Sequence, residues 1–103
     1  MARNFKTHAF EALTSILNRT NKNEKVDQVE ADRAMHFFNE AFAQEYKEYQ
    51  MQYQLYWGRA KLNLLIAQFG KCKEDCLDAI KIIDTDEHIW LILARCRFFV
   101  EKW

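Results

Sequence analysis

Residues 53–86 read YQLYWGRAKLNLLIAQFGKCKEDCLDAIKIIDTD, and their spacing decides the fold. Tyr53, Tyr56, Trp57, Ala60, Leu64 and Leu65 recur at threes and fours, the period of one helix face. Gln68-Phe69-Gly70 reads as a turn, after which the apolar stripe resumes as Cys72, Cys76, Ala79, Ile80 and Ile83. Two amphipathic helices joined by so short a link form an antiparallel hairpin. Asp84-Thr85-Asp86 supplies a stop and the next N-cap, and Glu87 places a negative charge in the first turn that follows.

The same periodicity extends to both ends. A first helix is predicted over about Phe5 to Asn18, with Phe10, Leu13, Ile16 and Leu17 on its apolar face. The polar run Thr20 to Val26 (TNKNEKV) is a loop, because Asn and Thr side chains compete for backbone hydrogen bonds. A second helix follows over Asp27 to Gln44, with Ala34, Phe37, Phe38, Ala41 and Phe42 inward. The third is predicted over Tyr46 to Ala67, the fourth over Lys71 to Ile83, and the fifth from Glu87 almost to Trp103. Tyr46, Tyr49, Tyr53 and Tyr56 form a ladder along the third helix whose hydroxyls are expected to reach water.

Composition agrees with an all-α fold. The 103 residues hold two glycines, Gly58 and Gly70, and no proline, too few turn formers for a sandwich or barrel. Glycine-rich phosphate loops are absent. The apolar half of the chain is enough for one packed domain rather than a disordered tail. Fifteen basic and fifteen acidic residues cancel, so the basic excess that drives nucleic-acid binding is missing. The longest apolar run, Ile89 to Ala94, is far short of the ~20 residues that span a bilayer.

Tyr56 to Ala60 repeats as Trp90 to Ala94, an offset of 34 residues. That is the period of the tetratricopeptide repeat, and residues 53–86 resemble one such repeat position by position. Tyr56 stands at the first aromatic, Ala60 at the small position where paired helices approach, Ile66 before the turn and Phe69 at the turn aromatic. Cys72, Cys76 and Ala79 fill the second helix, and Asp84 replaces the usual proline. Ala34, Phe38 and Ala41 carry a fainter small–large–small copy. The resemblance implies antiparallel helical hairpins, about five helices or two and a half repeats, in a short right-handed superhelical stack. Residues 1–52 would be a degenerate first repeat with its long loop at 20–26, 53–86 the best-matching repeat, and 87–103 the first helix of an incomplete last one.

Arg59-Ala60-x-x-Asn63-Leu64 and Asp75-Cys76 further resemble the middle repeat of the tetratricopeptide domains of Hsp90 and Hsp70 co-chaperones. There, an Asn and a Lys/Arg pair clamp the terminal carboxylate of a chaperone tail. The matched positions here are Gly58, His88 and Ile92, none of which supplies the charged or amide donors that hold a carboxylate. The resemblance therefore implies the fold and a binding groove without tail capture.

In such stacks the first helix of each repeat lines the concave face. The resemblance places Gln54, Trp57, Lys61, Leu64 and Leu65 there from the third helix, and His88, Leu91, Arg95, Phe98 and Phe99 from the fifth. This combination suits a partner helix or extended peptide with apolar anchors and acidic character. The final helix, with Phe98, Phe99 and Trp103, lacks a capping partner in the pattern, so a further chain, a larger assembly or a second copy is expected to cover it. The sequence points to a non-enzymatic adaptor or scaffold, or to a small subunit of a large complex, with no direct nucleic-acid or membrane partner.

Other features are weaker. Cys72 and Cys76, four apart, are half a zinc site at most. Three cysteines without paired spacing read as buried core thiols in a reducing, cytoplasmic setting, so neither metal nor cofactor is expected. A catalytic set of Cys76, His88 and Asp75 lacks an accompanying oxyanion turn. The basic start, with Arg3 and Lys6 before any acid, faintly resembles a mitochondrial presequence but reads as the first amphipathic helix. The Asn18-Arg19-Thr20 sequon is uninformative in a chain read as cytosolic.

Overall fold

The computed structural model describes residues 4–101, which form five helices and no strands. They are α1 (Phe5–Asn21), α2 (Gln28–Ala43), α3 (Tyr49–Leu65), α4 (Phe69–Ile82) and α5 (Glu87–Glu101). The all-α class follows from the composition. Three of the helices start on a polar side chain that accepts from a first-turn amide: Asn4 from Thr7 at 3.1 Å, Asp27 from Val29 at 2.9 Å and Asp86 from His88 at 3.0 Å.

The C-terminal ends of α1 and α3 close by a common device. Asn23 and Ala67 have positive φ (64° and 63°), and amides fold back from Glu24 to the Arg19 carbonyl and from Gln68 to the Asn63 carbonyl. This is the Schellman arrangement, in which a left-handed residue satisfies the last carbonyls. It also corrects the expected turn. Ala67, not Gly70, takes the left-handed conformation, so the break falls at 66–68 and both Phe69 and Gly70 lie inside α4.

The chain forms two compact units, residues 1–45 and 46–103. In the first, α1 and α2 make an antiparallel hairpin. Phe10 meets Phe38 edge-on at 5.3 Å, and near the loop Arg19 pairs with Glu30 at 2.8 Å. Ala9, Leu13, Ile16, Ala31, Ala34, Phe38 and Ala41 are buried between them. Small residues on α2 let the helices approach and leave Phe38 as the large filler.

In the second unit α4 packs against both α3 and α5, and α3 also touches α5. The ring of Phe69 stacks on Phe99 at 4.4 Å, and one turn further along, Cys72 is joined to Cys96, so α4 and α5 run antiparallel. α3 and α5 run the same way, since Tyr53 reaches Asp86 at the start of α5 while Lys61 lies beside Arg95 further along. Tyr53, Ala60, Cys72, Cys76, Ala79, Ile89, Ile92, Leu93 and Cys96 form the core.

Two expectations about side chains need correction. Cys72 and Cys96 form a disulfide between α4 and α5, leaving Cys76 as the free, buried thiol. Spacing alone could not reveal that pair, because its members lie on different helices. In the tyrosine ladder, Tyr53 is 8% exposed and its hydroxyl donates to the Asp86 carboxylate at 2.6 Å rather than to water, whereas Tyr49 is 63% exposed.

Candidate functional site

The candidate site is an open groove of about 670 Å³ in the second unit. α3 supplies Lys61, Leu64 and Leu65, α4 supplies Phe69, and α5 supplies Leu91, Ala94, Arg95, Phe98 and Phe99. Its α5 wall lies on the helix face opposite Ile89, Ile92, Leu93 and Cys96, which are turned into the core. With Ile89-Trp-Leu-Ile-Leu in its N-terminal half, α5 has apolar residues all round, so burying one face leaves another in solvent. Leu91 and Phe98 are 58% and 60% exposed. Phe98 also meets Phe99 edge-on at 5.5 Å, so the stack of Phe69 on Phe99 braces the aromatic end of the wall.

Two cations rim this apolar surface. Burial, reinforced by the neighbouring charge of Arg95, pushes the Lys61 ammonium below its ordinary pKa. Neither side chain forms an ion pair among the described residues. Two like charges held near one another over apolar side chains make a place where a carboxylate would be favoured.

The α3–α4 hairpin behind the groove is held by a polar network. Arg59 donates from Nε and Nη2 to Asp75 at 3.0 and 2.8 Å, and Asn63 Nδ2 donates to the same carboxylate at 3.0 Å. Asp75 is 4% exposed, and the fork of donors compensates its buried charge. Arg59, Asn63 and Asp75 are among the residues that carried the resemblance to co-chaperone repeats; their mutual contact became visible only with the helices packed.

Of the residues expected to bind a partner, Lys61, Leu65, Leu91, Arg95, Phe98 and Phe99 line the groove, together with Leu64. Gln54 and His88 are exposed but outside its lining, and Trp57 is half-buried against the core. Trp103 lies outside the described residues. Phe69 and Ala94 were missed. Phe69 had been assigned to the turn, and Ala94 to a close helix contact like that of Ala60, yet Ala60 is fully buried while Ala94 is exposed. Of the clamp-matched positions, Gly58 and Ile92 are buried and His88 is exposed.

The three cysteines converge beneath the groove. The Sγ atoms of Cys72, Cys76 and Cys96 lie within 4.8 Å of one another, and all three side chains are fully buried. Burial, with a smaller contribution from the Asp75 charge, pushes the Cys76 thiol up to about 12. A thiol so protonated is a poor nucleophile, and both oxygens of Asp75 are taken by Arg59 and Asn63. No helix among the described residues is long and apolar enough to cross a membrane. No protein-family model, curated protein or solved structure matches the chain.

Proposed function

We propose that the chain is a non-enzymatic adaptor whose α3–α5 unit, packed in the manner of tetratricopeptide hairpins, docks a partner helix of mixed apolar and acidic character. The observation that carries this reading is the coincidence of exposed Leu91 and Phe98 with Lys61 and Arg95, two cations without an ion pair among the described residues, in one groove. Full burial of a Leu or Phe side chain is worth about 1.5–3 kcal/mol. Leu91 and Phe98 are already part-covered, so each stands to add roughly half of that on docking. A carboxylate placed between Lys61 and Arg95 adds charge-assisted hydrogen bonds of about 1.5–3 kcal/mol each. The groove is open rather than enclosed, which suits a polypeptide better than a small ligand buried on most sides. Parallel packing of α3 and α5 against α4 supports the repeat-like reading, and the thiol set beneath the groove offers no activated nucleophile in its support of a binding role.

The test is selection from a displayed library of helix-forming peptides against the purified chain. Enrichment of peptides with apolar anchors at helical spacing and a flanking Asp or Glu is expected. Leu91→Asp with Phe98→Asp should weaken the selected peptides at least tenfold. Absence of enrichment, or binders indifferent to those substitutions, refutes the groove as the docking surface.

A further inference from the structure

We propose that, once the Cys72–Cys96 disulfide is reduced, Cys72, Cys76 and Cys96 together bind one Cu(I) ion. Cys72 and Cys76 are four apart on α4 and so share a face, and Cys96 meets them from α5. An ion with metal–sulfur bonds near 2.3 Å in a trigonal plane holds its sulfurs about 4.0 Å apart. Cys76 Sγ already lies within 4.8 Å of both partners, and on reduction the Cys72 and Cys96 sulfurs, bonded at 2.01 Å on Cα atoms 6.3 Å apart, must move apart by about 2 Å, which side-chain rotation supplies.

The donor set selects the metal. Sulfur is the only ligand type in the cluster: among the described residues no histidine or carboxylate joins it, and the adjacent Asp75 is committed to Arg59 and Asn63. A structural zinc site wants four ligands; here the fourth would have to be water, in a place where all three cysteines are fully buried. Cu(I) is soft, favours thiolate and is satisfied by fewer donors. Cys76 is the informative residue: it is the one sulfur outside the disulfide, and it lies beside the other two.

The chemistry balances. Cys72–Cys96 accepts two electrons and two protons to give two thiols, supplied by two equivalents of a thiol reductant that leave as their own disulfide. Cu(I) then takes up the sulfurs and their displaced protons pass to solvent. No copper redox change is involved.

The experiment uses the whole chain, reduced with a phosphine under anaerobic conditions and titrated with Cu(I) in competition with bathocuproine disulfonate. Uptake of one Cu(I) per chain, with new near-ultraviolet sulfur-to-copper absorption, is expected. Cys76→Ser should weaken uptake at least tenfold yet leave the oxidised protein's Cys72–Cys96 bond intact by mass. Cys76→Ala, which buries no hydroxyl, repeats the measurement should the serine variant not fold. Cu(I) left wholly with the chelator, or an alanine variant that binds as the parent does, overturns the proposal and leaves the disulfide as a fastening alone.

Discussion

Replacing Arg59 with Met tests whether the network behind the groove holds the α3–α4 hairpin. The substitution keeps most of the aliphatic stem and removes both donors from Asp75, which is 4% exposed and would keep only Asn63 Nδ2. Breaking a buried pair by removing one partner costs about 3–5 kcal/mol. The Arg59 side chain is 24% exposed, so water can enter the vacated space, and we reduce the figure to about 2–3 kcal/mol. For a unit of this size that is a fall in Tm of roughly 10–20 °C. Asp75→Leu in the same background removes the stranded charge, so Arg59→Met/Asp75→Leu should be less destabilised than Arg59→Met alone. Trp57 and Trp90 belong to the second unit and residues 4–45 contain no tryptophan, so tryptophan fluorescence during urea unfolding follows that unit and not the first. A loss below about 0.5 kcal/mol for Arg59→Met, the level of an ordinary surface substitution, or a double variant worse than the single one, would refute the reasoning.

Tyr53→Phe should flatten the pH dependence of stability at both extremes. The Tyr53 hydroxyl bond holds the Asp86 carboxyl below its ordinary 3.8, so its stabilisation is present above that value and lost as pH falls through the folded pKa. Burial, then the bond to Asp86, raises the Tyr53 phenol above its ordinary 10.0, so its contribution is present below pH 10 and lost as pH climbs towards the folded value. Melting curves of both proteins across pH that superpose in shape would count against the Tyr53–Asp86 bond. Reducing Cys72–Cys96, which spans a sequence separation of 24, should destabilise the second unit by about 3 kcal/mol. Thermal melts with and without reductant measure this, and Cys96→Ser should melt like the reduced parent and show no response to reductant.

The sequence by itself determined the number and kind of elements. Recurrence at threes and fours, two glycines, no proline, and the Asp84-Thr85-Asp86 cap are properties of neighbours along the chain, and a helix needs little more to be specified locally. The inward faces of α2 and α4 were legible for the same reason, through Ala34 and Phe38 or Cys72 and Ala79. Lys61, Leu64, Leu65, Leu91, Arg95, Phe98 and Phe99 fell in the groove as expected because a helix fixes which positions share a side.

Only the tertiary structure decided what lies across a helix–helix contact. It paired Cys72 with Cys96, set Arg59 and Asn63 on Asp75, turned the Tyr53 hydroxyl to Asp86, and drew Phe69 from an expected turn into the groove wall by giving Ala67 the left-handed conformation. Those outcomes depend on distances between residues far apart in sequence, fixed by how closely the helices pack, and no periodicity along one strand of chain encodes them.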